Sequence, residues 1–102
     1  MENLQLLEGL PFTTTVKAKP EVIFAELGAE ISLLNTQTGI YYTLNAIGAE
    51  FWRQIQQAKS LAEIKKGFLE DYDVDEARCE RDLMQIVANL RSNGLVEVSS
   101  VS

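Results

Sequence analysis

The segment Leu34-Asn35-Thr36-Gln37-Thr38-Gly39-Ile40-Tyr41-Tyr42-Thr43-Leu44-Asn45 carries three structural instructions in succession, and it leads without a linker into Ala46-Ile47-Gly48-Ala49-Glu50-Phe51-Trp52. Its first residues end a strand. A polar turn follows, closed by Gly39, which supplies the positive φ that a three-to-five-residue hairpin connection needs. Ile40, Tyr41, Tyr42 and Thr43 are strand formers and make the second arm of the hairpin. Asn45 stops that strand and accepts a main-chain N–H from the helix that begins at Ala46. Ile47, Phe51 and Ile55 recur four apart, which predicts a core-facing helical stripe with Trp52 beside it.

Upstream, Val22-Ile23-Phe24-Ala25-Glu26-Leu27 reads as a strand, and Gly28-Ala29 as a tight turn into Glu30-Ile31-Ser32-Leu33-Leu34. With Ile40 to Leu44 this predicts a three-stranded antiparallel meander. Thr13 to Ala18 has strand propensity, but Pro20 cannot donate to a ladder and ends any strand before it. Leu4, Leu6, Leu7, Leu10 and Phe12 are interrupted by Gly9 and Pro11, so residues 1–19 read as an N-terminal tail or docking segment.

Downstream, the first helix is expected from Ala46 to about Gln57. Gly48 in its first turn lowers helix propensity and predicts close approach of another backbone. Ser60-Leu61-Ala62-Glu63 fits a capping box and starts a second helix, with Leu61, Ile64, Phe68 and Leu69 as its core stripe. That helix runs out near Asp71-Tyr72-Asp73. A third and longest helix runs from Val74 or Glu76 to Ser92, capped by Asp73 or Asp75 and closed by Asn93-Gly94 with Leu95 beyond. Its expected buried stripe is Cys79, Leu83, Ile86 and Leu90. One flank of that stripe is polar (Arg78, Asp82, Gln85, Asn89) and the other carries Met84 and Val87. Leu95 to Val98 adds a final strand or covers the core, and residues 99–102 are expected to fray. The fold class is therefore α+β and winged-helix-like, a three-stranded antiparallel meander followed by three α-helices, with residues 20–98 as the domain.

At 102 residues the chain has the size of one domain, and 46 % hydrophobic with 24 % charged residues is a globular composition. Fifteen acids against nine bases give a net charge of −6, and the bases are scattered among acids, which disfavours nucleic-acid and anionic-membrane partners. No apolar run approaches the ~20 residues of a membrane helix, and the opening residues lack the basic start of a signal peptide. A cytoplasmic location is the expectation.

Few catalytic chemistries survive this composition. Asp71-x-Asp73-x-Asp75 starts like a calcium loop, but a Gly at the sixth position and a Glu at the twelfth are replaced by Glu76 and Asp82. These acids suit a helix N-terminus instead. The single Cys79 has no partner for an internal disulfide and no histidine to activate it, and its position on an apolar stripe makes it a small core side chain. No Gly-rich phosphate loop or zinc-ligand set is present. The sequence reads as non-catalytic, with no cofactor and no metal.

Peptide binding remains. Exposed edge strands are normally blunted by Lys or Pro, and Ile40 to Leu44 has neither, so an extended peptide can pair with it if that strand is a free edge. Coverage of both sheet faces by Tyr41 and Tyr42 is the alternative that involves no ligand.

The ordered run L-L-N-x-x-T-G-x-Y-Y-x-L-N-x-x-G-x-x-x-W, followed by a capped helix, an acidic turn and a last helix ending in L-x-x-x-G-L-V, resembles the PqqD-like family over about Pro20 to Val98. These are leader-recognition domains of ribosomally made, post-translationally modified peptides, found in coenzyme PQQ synthesis and in lasso-peptide pathways. The resemblance implies a leader peptide added antiparallel to Ile40, Tyr41, Tyr42, Thr43 and Leu44 and lying against the last helix. There Leu83 and Ile86 would supply apolar contacts, and Arg78, Asp82 and Gln85 would read polar leader residues. It also implies delivery to a separate modifying enzyme, either a radical SAM protein or a leader peptidase. Three further readings stay open: a winged-helix DNA-binding regulator, a structural subunit of a larger complex, and a homodimer formed through edge pairing.

Overall fold

The computed structural model describes residues 10–99, so the apolar tail over 1–9 and the end over 100–102 lie outside the described residues. In chain order the elements are β1 (Thr15–Ala18), β2 (Val22–Leu27), β3 (Glu30–Asn35), β4 (Ile40–Leu44), α1 (Ala46–Gln54), β5 (Lys59–Ser60), α2 (Leu61–Asp71), α3 (Glu76–Ser92) and β6 (Val96–Ser99). The meander and the three helices follow the order read from the sequence, and the fold is α+β.

The meander is one antiparallel sheet of order β2-β3-β4. Gly28 has φ 67° while Ala29 keeps a negative φ, the signature of a two-residue turn with glycine in the first central position. That turn closes on the Leu27–Glu30 pair. At the other hairpin Gly39 has φ 76° and its N–H donates to the Asn35 carbonyl at 2.8 Å. Asn35 organises the rest of this turn, its Oδ1 accepting the N–H groups of Gln37 at 3.0 Å and Thr38 at 3.4 Å.

A second sheet, of order β5-β1-β6, was only partly foreseen. β1 pairs with β6 over Thr15↔Ser99 to Ala18↔Val96, and with β5 through Thr15↔Ser60 and Val16↔Lys59. The partners of this N-terminal strand lie far along the chain, and no local pattern announces such a pairing. The short sheet closes the domain by joining its first described strand to its last.

The core is one cluster in which Ile31 and Leu33 of β3, Phe51 and Trp52 of α1, Leu61 and Ile64 of α2, and Leu83, Val87 and Leu90 of α3 meet Val16 and Leu95. Burial of each large apolar side chain contributes about 1.5–3 kcal/mol. Three sequence expectations shift here. α1 stops at Gln54 with Ile55 as its C-cap, and the Ile55 carbonyl accepts the Ala18 N–H at 2.8 Å, which ties the chain there to β1. Ile47 is 38 % exposed, so the buried face of α1 is Gly48, Ala49, Phe51 and Trp52 rather than a four-residue repeat starting at Ile47. On α3 the buried stripe is Cys79, Leu83, Met84, Val87 and Leu90, with Ile86 only half-buried. The stripe is thus rotated toward the Met84 flank, and the Arg78–Asp82 flank is left more open.

Gly48 is tight for a different reason from the one expected. A Cβ there would lie 3.3 Å from Leu44 Cβ and 3.5 Å from Asn45 Oδ1, so the crowding comes from the end of β4 and from the capping side chain. Asn45 Oδ1 accepts the Gly48 N–H at 2.9 Å as the cap of α1. The capping box of α2 forms as read, and α3 is capped by Asp75, whose Oδ1 accepts the Arg78 N–H at 2.8 Å. That bond gives the third acid of the Asp71-x-Asp73-x-Asp75 run its role.

Candidate functional site

β4 is an outer strand of its sheet, as is β2. In an antiparallel ladder, alternate residues of a strand address opposite neighbours. Since the tight turn closes on Leu27–Glu30, the main-chain groups of Glu30, Ser32 and Leu34 address β2, and those of Ile31, Leu33 and Asn35 address β4. In the β3–β4 register the residues opposite these last three are Leu44, Tyr42 and Ile40. Tyr41 and Thr43 therefore present their main-chain N–H and C=O groups to the open edge. Their side chains stand on the outer face, where both are exposed, whereas Tyr42 and Leu44 point inward and pack against the core.

Two tie points set the direction of α3 against the meander. At the end of β3, opposite Ile40 of β4, Asn35 Nδ2 donates to the Asn93 carbonyl at the C-cap of α3, 3.2 Å away. Past its end, Ile47 lines a groove of about 420 Å³ together with Arg78, Cys79, Asp82 and Leu83 from the first half of α3. Phe68, Tyr72 and Val74 complete the apolar lining, and Asp73, Asp75 and Asp82 stand at its rim. Arg78 and Asp82 of α3 thus share one groove with Ile47, the residue just past the end of β4.

The expected site residues are distributed as follows. Ile40, Tyr41 and Thr43 are exposed along the edge, with Tyr42 and Leu44 half-buried beneath it. Arg78 and Asp82 are exposed on the groove, and Leu83, 2 % exposed, forms part of its floor. Ile86 is half-buried one turn further along the same flank. Gln85 borders a second cavity of about 480 Å³ with Phe12, Ala77, Glu80, Arg81 and Met84, and Asp82 stands on the crest between the two, lining both. Sequence spacing puts Ile47 and Phe68 on core stripes and Tyr72 at a helix end, because spacing alone does not tell a core stripe from a groove lining.

Charge is disposed unevenly around α3. On the far flank Lys65 of α2 donates from Nζ to Glu76 Oε2 at 2.7 Å and to Glu80 Oε2 at 2.8 Å, and lies 4.9 Å from the centre of the Phe12 ring. These carboxylates hold the ammonium proton and raise the Lys65 pKa. On the groove flank Arg78 Nε reaches Asp82 Oδ2 only at 3.8 Å, and Asp73 has no ion-pair partner among the described residues. Burial pushes the Cys79 thiol up, the opposite of what a nucleophile needs. No group of three or more His, Cys, Asp and Glu side chains is placed to hold a metal ion among the described residues, and no helix there is long and apolar enough to cross a membrane.

A winged-helix-like α+β domain with an uncharged strand edge beside an acidic groove is the class that fold and site define. The sequence model of the family "Coenzyme PQQ synthesis protein D (PqqD)" matches residues 30–96, and the chain belongs to this family. Among solved structures the chain is similar to "TbiB1 in Complex with the TbiA(beta) Leader Peptide", with TM-score 0.75 and 33 % identity over 79 % of this chain and 94 % of that one. It is also similar to "Lasso peptide synthetase B1 complexed with the leader peptide", with TM-score 0.72 and 26 % identity over 80 % and 96 % of the two chains. The curated proteins contain no match.

Proposed function

We propose that this protein is a non-catalytic adaptor that captures the leader of a ribosomally made precursor peptide as an added strand on β4 and presents the precursor to a separate enzyme. The observation that carries this reading is the edge itself: Tyr41 and Thr43 offer main-chain groups to solvent on a strand with no Lys, Pro or acid, and that strand leads to a groove built from α1, α2 and α3. Both solved relatives are complexes with leader peptides, which supports the same ligand class. Lasso-type machinery is favoured for the same reason, and a leader peptidase is then the partner enzyme, acting in the cytoplasm where the precursor is made.

A strand antiparallel to β4 has its N-terminal end at Leu44 and its C-terminal end at Ile40. Leader residues bonded to Tyr41 and Thr43 place their side chains on the outer face. Those between them point inward toward Asp82, Leu83 and Ile86. The part of the precursor to be modified leaves past the Thr36–Gly39 turn, and that is where the enzyme works. DNA binding is disfavoured by α3, which mixes Glu76, Glu80 and Asp82 with Arg78, Arg81 and Arg91.

The test is fluorescence polarisation with labelled leader segments of a short precursor encoded beside this chain, comparing the unaltered protein with Thr43→Pro and Tyr42→Pro. Thr43→Pro deletes a donor that faces the open edge, whereas Tyr42→Pro deletes a donor of the β3–β4 ladder. The expected result is micromolar or tighter binding that Thr43→Pro abolishes while circular dichroism stays unchanged, with Tyr42→Pro destabilising the fold as well. Binding indifferent to Thr43→Pro in a folded protein would remove strand addition from the mechanism.

A further inference from the structure

The groove beyond the Leu44 end of β4 has two chemically distinct levels. Its floor is apolar, formed by Ile47, Phe68 and Leu83, and Tyr72 stacks on Phe68 with ring centres 5.5 Å apart and planes 22° from parallel. Its rim carries the carboxylates of Asp73, Asp75 and Asp82 against the one base Arg78. Asp75 is occupied in capping α3, and Arg78 meets Asp82 at 3.8 Å with both side chains more than half exposed. The mouth is therefore net negative above an apolar floor, with the ring of Tyr72 37 % exposed beside it.

One class of peptide side chain matches both levels. Lysine and arginine carry an apolar stem that covers hydrophobic surface and a cationic head that stays in the polar layer, where carboxylates and an aromatic face both attract it. A Leu or Met would fill the floor and leave the rim unused, and a Glu would meet like charge. We propose that this groove is a subsite for a Lys or Arg side chain of the captured peptide, with Asp73 and Asp82 as its charge partners. The proposal rests on strand capture at β4. From the antiparallel direction, the cation lies on the N-terminal side of the segment paired with Ile40 to Leu44.

The experiment selects random twelve-residue peptides displayed on phage against the full chain, then measures resynthesised binders by fluorescence polarisation. Each binder is tested with its cation intact and with Lys or Arg→Met. The proteins compared are the unaltered chain, Asp73→Asn/Asp82→Asn, which leaves the Asp75 cap untouched, and Thr43→Pro. The expected result is enrichment of Lys or Arg just N-terminal to a strand-forming run. Loss of that cation should weaken binding to the unaltered chain about five- to tenfold, and leave binding to the Asn double variant unchanged. Binders that depend on Thr43 but show no cation preference overturn the subsite and leave strand capture standing. Absence of any Thr43-dependent binder overturns both.

Discussion

The side-chain amide of Asn35 donates to the main-chain carbonyl of Asn93 at 3.2 Å, joining the first residue of the β3–β4 turn to the C-cap of α3 across 58 residues of sequence. The same side chain accepts from Gln37 and Thr38, so one buried amide holds the turn closed and sets where the end of α3 lies against it. Asn35→Ala removes all three part-buried bonds and leaves the main-chain groups of Gln37, Thr38 and Asn93 without this partner. A loss of about 2–3 kcal/mol is expected in urea unfolding followed by Trp52 fluorescence. A loss below about 0.5 kcal/mol would mean that water replaces the amide at no net cost.

Gly94 belongs to the same junction. It has φ 71°, and a Cβ there would lie 3.4 Å from Asn35 Nδ2. Gly94→Ala should lower stability by about 1–2 kcal/mol through left-handed strain, and by nearly the same amount when Asn35 is already Ala, since 3.4 Å is an ordinary contact distance. Denaturant midpoints of the two single variants and the double variant separate the contributions.

Trp52 is fully buried, with the edge of one aromatic ring against the face of the other at Phe24, centres 6.1 Å apart, and its Nε1 has no hydrogen-bond partner among the described residues. Trp52→Phe gives up some packing but also deletes an unsatisfied donor, so the two effects oppose each other. It should cost less than about 1.5 kcal/mol, against about 3–5 kcal/mol for Trp52→Ala. A loss for Trp52→Phe well above about 1.5 kcal/mol in calorimetry would show that the indole N–H has a partner in solution.

Glu63 completes the capping box of α2, its Oε1 accepting the Ser60 N–H at 3.0 Å while Ser60 Oγ accepts the Glu63 N–H at 3.2 Å. The Ser60 N–H, then its hydroxyl, favour the carboxylate and hold the Glu63 pKa below its ordinary 4.5. A lowered folded-state pKa means that this contribution is complete above 4.5 and disappears as the pH falls through the lowered value. Melting temperature followed downward from pH 6 should therefore fall less steeply in Glu63→Gln than in the unaltered protein. Parallel curves would show that the cap is indifferent to ionisation.

The elements that were legible from sequence share a local cause. Gly28 and Gly39 are needed where φ is positive, Asn45, Ser60 and Asp75 cap the helices that follow them, and the β-formers between Val22 and Leu44 alternate in one hairpin register. Each of these is decided within a few residues of chain, where sterics and main-chain hydrogen bonding act. Misreadings arose where a distant partner intervened. α1 ends early where its C-cap Ile55 is tied to β1 through the Ala18 N–H, and the α3 stripe is rotated because Met84 and Val87 also find the core.

The chain alone determined a meander running into three capped helices, a composition without histidine, and a strand from Ile40 to Leu44 with no Lys or Pro to blunt its edge. Tertiary structure alone decided that β4 is an outer strand, that Tyr41 and Thr43 rather than Tyr42 face outward along it, and that Arg78 and Asp82 of α3 share a groove with Ile47. The physical reason is range. Backbone conformation answers to neighbours in sequence, whereas an open edge and a groove are defined by what packs beside them, here Asn93 reached from Asn35 and Ile47 set against Leu83.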